Sequence, residues 1–130
     1  LARLRELAIL QVGYLTRSPY EYSHHIKIGF DFGVTEDDIR ALIDETNGTS
    51  TNLEPLAKTV LRGGREMTTN LAMSDATFAE LRQHLSEEHL LDLVITIAFY
   101  NGVVRVLATM QIDVEPEYQK YLEQFPLPAS

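Results

Sequence analysis

The stretch RSPYEYSHH, residues 17–25, sets a carboxylate and an imidazole, Glu21 and His25, four residues apart. On a helix the two side chains share one face. A carboxylate beside an imidazole holds the ring's tautomer and favours the imidazolium. That pairing suits proton donation or abstraction near neutral pH. The same letters also have a plainer reading. Ser-Pro-Tyr-Glu is a Ser-x-x-Glu capping box, in which Glu21 reaches back to the Ser18 N–H and His25 is an ordinary interfacial histidine. No metal is expected here. His24 and His25 are adjacent, so on a helix they point about 100° apart and chelate one ion poorly. Glu21 with His25 gives two ligands where zinc wants at least three from protein.

Other polar residues stand out because their surroundings are apolar. Glu6 interrupts the stripe RELAIL, either as a charge exposed beside the core or as a buried functional group. Asn101 and Arg105, again four apart, interrupt the most apolar segment of the chain. An arginine there is expected to pair with a carboxylate such as Glu6 or Asp92, or to anchor an anionic substrate. Tyr14, Tyr20, Tyr22, Phe30 and Phe32 read as packing rather than as a cofactor box. RGGRE lacks both the strand and the lysine pattern of a phosphate loop. No Gly-x-Ser-x-Gly elbow and no His-Glu-x-x-His occurs.

The elements that must position these groups are helices. Leu4, Leu7, Ala8, Leu10 and Gln11 recur at helical spacing, which predicts a helix over 1–16. Ser18 and Pro19 predict a cap and a first turn for a second helix, running to about Phe32 and stopping at Gly33. Thr35 is expected to cap EDDIRALIDET, and NGTSTN, residues 47–52, to be loop. The pattern is helical again over 53–73, with a break or kink at Gly63-Gly64. Ser74 and Ser86 are the next caps. The last long helix, 87–113, is apolar on nearly every side through its middle, which predicts burial all round, in a core or between subunits. The tail reads as a short helix followed by Pro-rich coil. The fold class is all-α, in one domain over 1–130.

Composition narrows the function classes. The 130 residues carry a net charge of −8 and offer no cationic face for nucleic acid. There is no cysteine, which removes disulfides, thiol nucleophiles, Cys-ligated zinc and iron–sulfur clusters together. No run of about 18 consecutive apolar residues occurs, so no membrane partner is expected. With no export signal the expected compartment is the cytoplasm. The opening LARLRELAIL has helical periodicity and no cap, which points to missing upstream helices.

With these residues in view, RELAILQVGYLTRSPYEYSHHIKIGFDFGVTEDDIRALI resembles the carboxymuconolactone decarboxylase / AhpD-like superfamily. The resemblance covers residues 3–43 well and is weaker over LDLVITIAFYNGVVRVL. In the AhpD branch the motif is a Glu followed, twelve residues on, by Cys-x-x-Cys-x-x-x-His. Laid on this chain without a gap, Glu6 takes the Glu place, Ser18 and Glu21 the two Cys places, and His25 the His. In the decarboxylase branch the run is similar to Pro-Phe-Glu-x-x-x-His, matched here at Pro19, Glu21 and His25. GVTEDDIRALI resembles the Gly-x-Thr-x-Glu-Glu-Ile stretch that follows in both.

The resemblance implies an AhpD-like helical bundle, assembled as a homotrimer or homohexamer. Without thiols, the peroxidase and disulfide-exchange chemistry of AhpD-like proteins is excluded. What remains is cofactor-free loss of CO₂ from a carboxylated lactone or a related unsaturated acid. His25 would donate or shuttle the proton, Glu21 would orient it and serve as a candidate base, and Glu6 would support the pair from behind. Arg105, Tyr22 and His24 complete the candidate site as substrate contacts. The alternative is a non-catalytic oligomeric scaffold that kept the helices and lost the chemistry. A metal-assisted enzyme is the third reading. Pocket geometry discriminates among them.

Overall fold

The computed structural model describes residues 1–129. In chain order it has α1 Ala2–Leu15, α2 Pro19–Asp31, α3 Glu36–Thr46, α4 Pro55–Asn70, α5 Asp75–His84, α6 Glu87–Thr109, a 3₁₀ turn Pro116–Tyr118, and α7 Gln119–Gln124. No strand occurs among the described residues, so the chain is all-α.

The centre of the molecule is α1. Every residue from Glu6 to Tyr14 is buried, and the helix touches α2, α3, α4 and α6. On one side Leu7, Leu10 and Tyr14 pack with Tyr22 and Ile26 of α2 and with Ile39 and Leu42 of α3. On the other, Ala8 and Val12 pack with Val60 of α4, Leu81 of α5, and Leu93 and Ile97 of α6. Each of these large aliphatic side chains contributes about 1.5–3 kcal/mol by leaving water.

The expected hairpin of the first two helices is present. Thr16 and Arg17 close α1, and the Ser18 N–H donates to the Gly13 carbonyl at 3.0 Å. Gly13 lets the returning helix come close: a Cβ there would sit 3.3 Å from the Cα of Tyr22. This tight turn lays α2 back along α1 and sets the register between Glu6 and the Glu21–His25 pair of α2. α2 ends at Asp31, two residues before Gly33 at φ 96°. Thr35 caps α3 through a full capping box with Asp38, and Ser74 and Ser86 cap α5 and α6 as expected. Arg3 ties this frame together by bridging Asp38 and Glu54 at 2.7 and 2.9 Å.

Four expectations are corrected. Gly63 and Gly64 do not break α4; both are buried in a continuous helix. They are contact points instead. A Cβ on Gly63 would lie 2.8 Å from Met73 Cε, and one on Gly64 3.3 Å from Gln11 Cγ, so their lack of a side chain lets α4 approach its neighbours. α4 stops at Asn70, where Leu71 turns to φ 75°, and α6 stops at Thr109 rather than 113. Finally, α6 is not buried all round within the chain. Leu91, Ile95, Phe99, Val106 and Met110 are each more than half exposed. By length and composition α6 is also long and apolar enough to cross a membrane, although no uninterrupted apolar run of that length exists.

Candidate active site

α1 contributes Glu6, and α2 contributes Glu21 and His25. All three are buried, with 2%, 4% and 8% of their surface exposed. The imidazole lies between the two carboxylates. Its Nδ1 is 2.7 Å from Glu6 Oε1 in a well-aligned hydrogen bond. Its Nε2 is 2.7 Å from Glu21 Oε1, but that oxygen lies out of line with the ring N–H. The second contact is therefore an ion pair without a directed hydrogen bond, and Glu21 Oε1 remains a buried oxygen with no aligned donor. The other oxygen of Glu6 faces the half-exposed Arg5 guanidinium at 3.8 Å.

Burial alone would pull the imidazole toward its neutral form. The close contacts and charges of Glu21 and Glu6 outweigh it and push the His25 pKa up to about 9. At neutral pH His25 is an imidazolium. Glu6 fixes one ring nitrogen, so the proton on Nε2, beside Glu21, is the one placed for transfer.

The capping-box reading of RSPYEYSHH is overturned. Ser18 stands at the N-cap of α2 but makes no side-chain cap bond. Its N–H goes to Gly13, and Glu21 goes to His25. The reason is geometric: the tight turn into α1 consumes the Ser18 N–H, and the buried imidazole is the stronger partner for Glu21. For Glu6, the buried alternative is the one observed.

The candidate substrate contacts are not brought together. Tyr22 is fully buried in the core beside Tyr14, its hydroxyl is unpartnered, and burial raises its pKa. It is a packing residue, because the face of α2 next to His25 turns it toward α1. His24 points away from His25. Its ring stacks between Tyr20 and Tyr118, at 4.1 and 3.8 Å between centroids, and its Nε2 is 2.7 Å from Glu115. That holds the C-terminal turn against α2. Arg105 pairs with neither Glu6 nor Asp92. It lies exposed on α6, bonded to the Asn101 carbonyl and side chain one turn back.

One residue near the site was not legible in the sequence. Tyr100 of α6 sets its ring edge-on to His25, 5.1 Å between centroids. Its hydroxyl pKa is raised by burial and by the charges of Glu21 and Glu6. Nothing in AFYNG links it to a histidine 75 positions earlier; only the packing of α6 on α2 does.

No curated protein and no solved structure matches this chain. The stretch that spans α1, α2 and α3, and so carries Glu6, Glu21 and His25, does have a match: residues 2–50 fit the model of the Carboxymuconolactone decarboxylase family.

Proposed function

We propose that the protein is a cofactor-free lyase that moves a proton during loss of CO₂ from a carboxylated lactone or a related unsaturated acid. The observation that carries this reading is the imidazolium held by two buried carboxylates. In the reaction the bond between carbon and the departing carboxylate breaks, and its electron pair delocalises into a conjugated carbonyl. CO₂ leaves. The electron pair then returns to carbon and takes a proton from His25 Nε2. Water restores that proton. Glu6 holds the ring so that the donated proton is always on the same nitrogen. Glu21 lies beside that nitrogen and stabilises the charge until transfer. A His poised as an acid contributes roughly 10²–10⁴-fold in rate.

A second reading keeps the fold and drops the chemistry. It draws on the depth of the triad: the 130 Å³ cavity at the start of α1 is lined by Leu4, Arg5, His89 and Leu93 among others, and not by Glu21 or His25. Turnover separates the two. A screen over lactones and unsaturated dicarboxylic acids, read as CO₂ release or loss of ultraviolet absorbance, is expected to find a substrate. With that substrate, His25→Ala is expected to lower kcat by roughly 10²–10⁴-fold. A folded His25→Ala variant with undiminished turnover would leave the scaffold reading in place.

A further inference from the structure

The start of α2 differs from an ordinary helix end in what its polar groups bond to. Pro19 has no N–H to offer, and the N–H groups of Tyr20 and Glu21 find no acceptor among the described residues. Ser18, the residue whose side chain would normally satisfy one of them, is 7% exposed, and its hydroxyl makes no cap bond and finds no partner among the described residues. Ser18 also lines a cavity of about 240 Å³ between the start of α2 and the last turns of α6. That volume suits a small acid rather than a drug-sized ligand. Arg17, in the same lining, forms no ion pair among the described residues, although the chain carries a net charge of −8. Val104 and Leu107 give the cavity an apolar wall, and Gln111 an amide. Asp113 is the one carboxylate in the lining, and its charge opposes an anion.

We infer that this cavity is a carboxylate-binding subsite. The free N–H groups at the positive end of α2, the Ser18 hydroxyl and the Arg17 guanidinium receive the anion, while Val104 and Leu107 hold the hydrocarbon next to it. Ser18 is three residues before Glu21 on α2, and Val104 is one turn beyond Tyr100 on α6, while Glu21 and His25 themselves stay outside the lining. A carboxylate stabilised by several donors resists losing CO₂, because its charge would have to leave them. A group bound here is therefore one that a substrate keeps. That assignment to a substrate rests on the lyase reading; the binding itself does not.

The test is an amide-resolved NMR titration of the full chain with succinate at pH 7, with succinamide at matched ionic strength as the uncharged control. The expected result is saturable shifts of the Tyr20 and Glu21 amides with succinate and none with succinamide. Ser18→Ala is expected to weaken succinate binding by roughly 2–10-fold, the worth of one hydrogen bond. Arg17→Gln is expected to weaken it by a comparable factor. Because Ser18 makes no cap bond, Ser18→Ala leaves the fold intact, and unchanged dispersion of the remaining amides checks this. No saturable shift at Tyr20 and Glu21, or the same affinity in both variants, would overturn the subsite. Binding is read without turnover, so it stands if His25→Ala proves the lyase reading wrong, and it falls on its own if succinate does not bind.

Discussion

Helices α1 and α6 exchange the roles their sequences suggest. α6 is the more apolar of the two, yet five of its large side chains, Leu91, Ile95, Phe99, Val106 and Met110, lie mostly in solvent. α1 contains Arg3, Arg5, Glu6 and Gln11, yet Glu6 and Gln11 are almost wholly buried. Position in the bundle decides burial, and it makes the informative residues opposite in kind. A charge inside α1 must be compensated, and Glu6 is compensated by His25. Gln11 likewise bonds Thr46 and Arg65 at 3.0 and 3.2 Å. An apolar row outside α6 is instead a surface that another molecule can cover.

The largest expected effect comes from breaking the buried side of this comparison. Glu6→Ala leaves the imidazolium with one partner in a dry environment. Breaking a buried pair in this way costs about 3–5 kcal/mol. The measurement is urea unfolding monitored by circular dichroism. A loss below about 1 kcal/mol would mean that His25 simply sheds its proton and tolerates the change. Replacing Leu91 on α6 by Ser, in contrast, should alter the stability of a single chain by no more than about 0.5 kcal/mol, as exposed substitutions usually do.

Next is the pH window. Unfolded, His25 titrates near its ordinary value of about 6.5; folded, it titrates at about 9. The folded pKa is the higher one, so the proton favours the folded state. The contribution is complete below about pH 6.5 and is lost as pH rises through about 9, and it amounts to roughly 3 kcal/mol. Unfolding free energies measured from pH 6 to 10 should fall over that interval in the natural chain. In His25→Leu the fall should be absent. The lyase reading adds a second curve: turnover should hold up to about pH 9 and decline above it, as the acid loses its proton. A rate that rises through pH 9 would instead mark His25 as the base.

The exposed side of the comparison is sharpened by asking what covers α6. The proposed cover is a second copy of the chain, in a trimer or hexamer. Leu91, Ile95, Phe99, Val106 and Met110 recur at intervals of four, four, seven and four, which keeps them on one stripe. Gly102 lies within the stripe, and a Cβ there would touch nothing within 4 Å. Phe99→Glu or Ile95→Glu should shift sedimentation toward the monomer and leave the helical signal unchanged. A natural chain that sediments as a stable monomer at micromolar concentration would remove this proposal. Association with vesicles in that experiment would give the stripe to a membrane instead.

Much of this was legible in the letters. The all-α class, the hairpin at Ser18-Pro19 and the caps at Thr35, Ser74 and Ser86 follow from local chemistry that a sequence displays. Glu21 and His25 were legible as a pair because four residues make one helical turn. That Glu6 meets His25 came from the family register and not from spacing, since only the turn geometry at Gly13 sets one helix against the other. Tyr100 was invisible for the same reason, being joined to His25 by tertiary packing alone. Gly63-Gly64 misled because propensity describes an isolated helix, and here α1 and Met73 fill the space that a side chain would take.

The smallest expected effect concerns the serines. Ser86 accepts from the His89 N–H at 3.1 Å, and Ser18, in the same position on α2, accepts from nothing. Replacing a serine that caps costs about 1 kcal/mol. Ser86→Ala should show that loss in urea unfolding. Ser18→Ala removes no bond of the folded chain, so it should cost less than about 0.5 kcal/mol, in the range of a neutral substitution. The two serines would then separate by function: one holds a helix together, and the other is free to meet a ligand. If both variants lose the same 1 kcal/mol or so, the Ser18 hydroxyl caps α2 in solution, and the subsite at the start of α2 loses the group that most distinguishes it from an ordinary helix end.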